Sequence, residues 1–417
     1  VFPSILITIG VNIKKGKIVT VEKNKIFGAT LLVAGTAIGA GMLALPLTSA
    51  AAGFFNSLFL LVGLWGVMCL SALVFLEIIL KYGKSASIAV LAENAFGGVG
   101  KNVALASIFL LFHALLAAYI TGSSQILANS FQEIGVIFPS WGWALLYTGV
   151  FGFFVNSCVR AVDYANRFLF TLKVCIFVAM IAALLPEVRV ENLYVKPQTP
   201  GMLWLAIPIF FTSFGFHGSL PTLVDYLGHR AKSLRFVIIV GSLIPLVVYL
   251  LWQVVTLGTL TPQNLSLLGA NSDLADFISL ISQAAQSTTL HVMIPIFSFL
   301  AIATSFLGVA MGLFDVTGET FNKSLTTERL AISARTFLPP LVFAIFYPHG
   351  FVTALGYAAI ALSFLAILLP TSIAWQWRKN QEANISPYVV SGGKLSLALC
   401  LFVGILVIAI ELWKKLT

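Results

Sequence analysis

Apolar residues run along this chain in long stretches parted by short polar connections, and most stretches have the length that crosses a bilayer. A helix needs about 20 apolar residues to span the hydrocarbon core. Eleven such stretches can be drawn, at residues 26–52, 54–80, 102–126, 142–156, 164–185, 202–226, 235–258, 288–312, 334–347, 350–369 and 395–413. The fourth and ninth are the shortest. This pattern predicts an all-α multi-pass membrane protein with eleven transmembrane helices. The connection after the seventh stretch holds SDLADFISLISQAAQ, which places Leu274, Phe277, Ile278 and Ile281 on one helical face behind Ser272 and Asp273. It predicts an amphipathic helix lying over the end of the bundle.

Basic residues set the direction. With eleven spans and a cytoplasmic N-terminus, 19 of the 24 Lys and Arg fall in segments on the cytoplasmic side. Only Arg189, Lys196, Lys414 and Lys415 fall on the other side, and Lys173 lies inside the fifth span. Positive charge gathers on the cytoplasmic side of membrane proteins, so this split supports both the count and the orientation.

Two spans are interrupted. The first reads GATLLVAGTAIGAGMLALPLTSAAAGF, with Gly35, Gly39 and Gly41 followed by Pro46. The sixth reads LWLAIPIFFTSFGFHGSLPTLVDYLG, with Gly215 and Gly218 followed by Pro221. Glycine frees the backbone from helical geometry, and proline is tolerated in the first turn of a new half-helix. Unwound backbone inside a membrane survives only where protein or a polar ligand pairs its N–H and C=O groups. The interruptions fall in spans one and six, and five spans is an odd number, so a second set of five enters from the opposite side. That predicts an inverted repeat with discontinuous helices in matching places, the arrangement that marks a mid-membrane binding site. The resulting division is a cytoplasmic segment 1–25, five-helix repeats at 26–185 and 202–369, and an eleventh helix at 395–413.

The half-helix ends define the chemistry. Amides of Gly39, Ala40, Gly41 and Met42 face the positive end of the second half of span one and suit a carboxylate. Free carbonyls on Ala37, Ser213 and Phe214 suit an ammonium group. A zwitterionic amino acid therefore fits without a charged side chain. Phe210, Phe211, Phe214 and Phe216 each read alone as core packing, but as a group beside a break they suggest apolar surface for a bulky or aromatic side chain.

Composition agrees and narrows the classes. The chain has 417 residues, 59% hydrophobic and 9% charged, against about 25% charged in soluble domains. Its net charge of +9 is dispersed in short loop clusters, which excludes a nucleic-acid footprint. Cys69, Cys158, Cys175 and Cys400 lack metal or redox spacing and read as small apolar residues. The apolar start before Lys14 is short and is not read as a secretory signal. Neither HExxH nor paired carboxylates within a span are present, which argues against an intramembrane enzyme, and only local polarity argues against a channel. No cofactor or metal is implied; the expected partners are a small-molecule substrate, a proton and membrane lipid.

The segments GTAIGAGMLALP at 35–46, TSFGFHGSLP at 212–221 and ATSFLGVAMGLFD at 303–315 resemble the hydroxy and aromatic amino-acid permeases from about Lys25 to the C-terminus. The resemblance implies a five-plus-five inverted repeat with an eleventh helix, and proton-coupled import of tyrosine or tryptophan across the bacterial inner membrane. It also implies that Lys173 in span five stands where related carriers bind sodium, with Thr304 and Ser305 of span eight beside it. That implies a proton-coupling role for the three residues, which is the favoured reading; the alternative for Lys173 is snorkelling to the cytoplasmic interface. Tyr119 in span three is placed to reach a substrate carboxylate, or is a core aromatic. His217, in the broken part of span six, can contact substrate, carry a proton or pair with unwound backbone. His113 reads as a satisfied buried histidine.

Overall fold

The computed structural model describes residues 18–83, 86–157, 159–195, 202–268, 273–285, 287–321, 328–379, 388–414 and 416. The first 17 residues, Cys158, and Ser272 and Gln286 at the ends of the expected surface helix lie outside them. The described residues form helices and connections, with no strand among them. In order they are α1 (Ile18–Ala37), α2 (Gly41–Ala52), α3 (Phe54–Tyr82), α4 (Ile88–Gln132), α5 (Ser140–Ser157), α6 (Val159–Leu184), α7 (Val190–Leu193), α8 (Met202–Ser213) and α9 (Leu220–Leu227). There follow α10 (Ala231–Thr259), α11 (Pro262–Leu267), α12 (Leu274–Ala284), α13 (Thr288–Thr320), α14 (Arg329–Phe346), α15 (Phe351–Ser363), α16 (Leu369–Lys379) and α17 (Gly393–Trp413).

Nine helical runs among the described residues are long and apolar enough to cross a membrane, or ten if α1 and α2 form one bent span. The fourth predicted span is present as α5, but Trp141, Trp143, Tyr147 and Asn156 make it less apolar, and it is not among the ten. The helices run past their predicted ends for local reasons. α4 begins at Ile88 behind Ser87, whose hydroxyl accepts from the Val90 amide, and turns at Gly97, where φ is 66°. Such a backbone angle favours glycine, so a short helical segment joins the span across a kink. Ten residues of α16 beyond the tenth predicted span stay helical because their charge is paired. Arg378 forks onto Glu77 of α3 at 3.1 and 2.6 Å and also reaches the Gly393 carbonyl at 2.8 Å. Glu77 is 3% exposed and takes the Val390 amide at 2.9 Å as well. A buried bidentate pair with its spare lone pairs filled ties α3, α16 and the start of α17 together.

Pro370 explains a second feature, the π-helical turn Phe364–Leu368 that joins α15 to α16. Proline has no N–H for the carbonyl four residues before it, and the Ser71 hydroxyl from α3 donates to that Ala366 carbonyl instead. Ser363 in turn donates to the Gly404 carbonyl of α17 at 2.8 Å. A Cβ on Gly404 would stand 2.8 Å from Leu368 Cδ2, so glycine is what lets α17 lie this close.

α12 is the amphipathic helix that the sequence predicts. Leu274, Phe277, Ile278 and Ile281 are buried, and the helix packs on α13 and α4. Asp273 caps it, with Asp276 reaching back in a capping box. The Asp273 carboxylate also meets His349 Nδ1 at 2.8 Å and the Gln125 amide. Burial raises the Asp273 carboxyl above the usual carboxylate range, while the Leu274 amide and His349 pull it back.

The long helices pack in two sets joined by α15, which lies against both α4 and α8. α1 and α2 lie against α10 and α8, and α10 and α8 also pack on α3. α4 packs on α13, α14 and α5, while α6 lies along α13. Cys69 and Cys400 are buried as expected, whereas Cys175 is exposed on α6. The apolar side chains form two clusters. Ala37 and Phe216 belong to one, and Ala40, Met42 and Phe214 to the other. The seam between the clusters passes through both interrupted spans.

Candidate functional site

Both interruptions are real breaks in helical hydrogen bonding, built differently. The axis of the first span bends by 50° between Asn24–Ala37 and Gly41–Ala50, the only such bend among the described residues. The last regular bond of α1 runs from the Ile38 amide to the Ala34 carbonyl at 2.9 Å. Beyond it the Met42 amide donates to Gly39 at 3.2 Å and the Leu43 amide to Ala40 at 3.1 Å. The carbonyls of Ala37 and Ile38 therefore lose their helical donors. In the sixth span the ladder tightens, with Phe214 donating to Phe211 at 3.2 Å and Gly215 to Thr212 at 3.1 Å. A single 3₁₀ turn over His217–Ser219 then leads into α9, with Pro221 in its first turn. That is where proline was expected; Pro46 instead lies well inside α2.

The carbonyls expected to be free are occupied. Tyr249 of α10 places its hydroxyl 2.6 Å from the Ala37 carbonyl and 2.8 Å from the Ser213 carbonyl. The Phe214 carbonyl accepts the Phe216 amide at 3.0 Å. Of the four amides expected to face a carboxylate, Met42 is tied to Gly39, and Ala40 donates to Ser305 Oγ at 3.2 Å. The amides of Gly39 and Gly41 have no such bond among the described residues. The two chain breaks meet at Gly41, where an added Cβ would lie 3.1 Å from Ser213 Oγ and 3.2 Å from Ser213 Cα.

Lys173 is held inward, 4% exposed, and does not snorkel. Its Nζ donates to Thr304 Oγ1 at 3.1 Å and to the Ile38 carbonyl at 3.4 Å, and lies 4.7 Å from the centre of the Phe170 ring. The ammonium thus joins α6 to α13 and to the break in the first span. Ser305 does not join that set. It donates to the Ala301 carbonyl at 2.9 Å, accepts from Ala40, and lies beside the buried Tyr119 hydroxyl.

Other expected residues part company. Phe214 packs its ring 5.3 Å from Tyr249, at the break. Phe216 turns to the opposite side of the seam and stacks on His217 at 5.0 Å. His217 is 3% exposed beside the backbone of Met68, with neither ring nitrogen hydrogen-bonded among the described residues. His113 is half-buried rather than buried, its nitrogens 2.8 and 3.1 Å from the carbonyls of Phe109 and Arg335, of which the single N–H of a neutral imidazole serves one. Tyr249 is the partner of the two breaks that the sequence reading missed. The available signal was a phenol in the middle of the apolar stretch IPLVVYLLWQVV, since a buried tyrosine hydroxyl needs a partner.

Many apolar helices define a multi-pass membrane protein, and its two broken spans meet at backbone carbonyls that share one hydroxyl partner. The sequence matches the tryptophan/tyrosine permease family over residues 22–411. The chain belongs to that family, as its three motifs implied. It is 42% identical over 390 residues to tyrosine-specific transport system 1 of Haemophilus influenzae, covering 93% of this chain and 96% of that protein. Glutamine transporter 2 of Aliivibrio fischeri is 33% identical over 391 residues, covering 92% and 98%. A tryptophan-specific transport protein of Shigella flexneri is 30% identical over 391 residues, covering 91% and 93%. All three relatives are named as transporters, in keeping with the absence of an enzyme motif.

Proposed function

We propose that this protein is a secondary active transporter that imports an aromatic amino acid, tyrosine foremost, together with a proton. The single observation that carries the reading is the meeting of two broken spans at one point. There Gly39 and Gly41 offer unpaired amides, Ala37 and Ser213 point carbonyls at the same spot, and Phe214 stands alongside. Such a place suits the two charged ends of a zwitterion and an aromatic ring. Lys173 is the proposed coupling group, because its charge bridges the break of the first span and α13. The proposed setting is the cell inner membrane, with eleven spans, a five-plus-five inverted repeat, a cytoplasmic N-terminus and a periplasmic C-terminus. The stronger similarity to the tyrosine carrier than to the tryptophan carrier supports tyrosine; tryptophan or another bulky neutral amino acid is the alternative.

Competition against labelled tyrosine uptake separates these. Unlabelled tyrosine is expected to compete best, with tryptophan and phenylalanine weaker and leucine and glutamine weakest. Glutamine competing as well as tyrosine would overturn the aromatic assignment. The structure also divides the two phenylalanines. Phe214→Ala is expected to change the ranking of aromatic competitors several-fold, whereas Phe216→Ala, a loss of core packing, destabilises the carrier by about 3–5 kcal/mol and so lowers the amount of folded protein without changing the ranking. Identical rankings in Phe214→Ala and the wild type would remove Phe214 from the site.

A further inference from the structure

A broken helix in an apolar setting must find donors for its stranded carbonyls. In the first span the Ile38 carbonyl takes Lys173, while the Ala37 carbonyl and, in the sixth span, the Ser213 carbonyl are both served by a single group, the Tyr249 hydroxyl at 2.6 and 2.8 Å. Tyr249 is fully buried, and its ring is held against Phe214. A phenol owns one donatable proton. It can satisfy only one of the two carbonyls at any instant, and the other is left under-served. A primary ammonium owns three donors, and one placed within bonding distance of both carbonyls would compete with the Tyr249 hydroxyl for them.

We propose that Tyr249 is a built-in stand-in for the substrate's ammonium group, bracing the two broken spans when the site is empty and giving way when substrate arrives. This rests on the reading that the breaks receive the amino group, and it adds the residue that governs the empty carrier. The consequence is kinetic. Net uptake requires the carrier to return empty, while exchange of internal for external substrate never passes through the empty form. With substrate bound, ammonium donors fill both carbonyls and Tyr249 is dispensable. With the site empty and the phenol removed, two buried carbonyls lack a donor throughout the return, and unmade buried hydrogen bonds are costly.

Tyr249→Phe keeps the ring and removes the proton. Reconstituted into liposomes, it is expected to exchange tyrosine within about twofold of wild type while net uptake falls about tenfold or more. Tyrosine should bind at least as tightly, because the competing donor is gone, and should raise the thermal midpoint of Tyr249→Phe in detergent more than that of wild type. The thermal measurement decides the matter even if the empty variant is fragile. Parallel losses of exchange and net uptake, unchanged kinetics in both, or a smaller thermal gain than wild type would each overturn the role of Tyr249. Wild type that neither binds nor exchanges an aromatic amino acid would instead overturn the site reading itself.

Discussion

Gly41→Leu is expected to abolish amino-acid uptake while the protein still inserts and accumulates in the membrane. The first atom of any side chain at this position would meet Ser213 at 3.1 Å from Oγ and 3.2 Å from Cα. The Oγ can rotate, but the Ser213 Cα is backbone of the other break and cannot turn away. Leu adds three more carbons in the same direction. Overpacking of this kind costs about 1–3 kcal/mol or more, and here it falls on the contact between the two broken spans. Gly39→Leu meets a different wall. Its Cβ would come within 2.5 Å of Ser305 Oγ, which is fixed by its bonds to the Ala301 carbonyl and the Ala40 amide. Gly218 supplies the control, because nothing lies within 4 Å of its added Cβ. Gly218→Ala should transport normally. Uptake per amount of membrane-inserted protein checks all three variants, and wild-type rates in both leucine variants would remove the breaks from the substrate's path.

Lys173→Ala is expected to lose accumulation of substrate against a gradient while retaining exchange. An ammonium at membrane depth is expensive, and this one is held by two neutral oxygens and a ring, with no carboxylate paired to it among the described residues. Its charge draws the Ile38 carbonyl of the first span and Thr304 of α13 toward α6. Release of the proton weakens both contacts and frees the segment before Gly39 to move. Alanine cannot cycle between the two forms, so proton movement and substrate movement come apart. Exchange needs no net proton transfer and persists. Vesicles carrying Lys173→Ala that still concentrate tyrosine under an imposed pH gradient would show that the coupling proton resides elsewhere.

Spans were legible in the sequence because lipid-facing and core-facing positions are both apolar, which makes each run continuous. Their ends were less so. The tenth span continues into α16 because Glu77, three hundred residues earlier in the chain, pairs with Arg378, and no local pattern contains that partner. The breaks were readable from Gly39, Gly41, Gly215 and Pro221, since glycine and proline act on their own backbone. What fills the breaks was not. The carbonyls of Ala37 and Ser213 are taken by Tyr249, and the Ala40 amide by Ser305, contacts that exist only after distant helices pack. Phe214 and Phe216 are two residues apart and looked alike, yet the turn between them sends them to opposite sides of the seam.

The most direct measurement is uptake of radiolabelled tyrosine by the purified wild-type protein in sodium-free liposomes. An inside-alkaline pH gradient is predicted to drive accumulation above the external concentration, and a protonophore to collapse it. Uptake that ignores the pH gradient, or that appears only when sodium is added, would contradict the account.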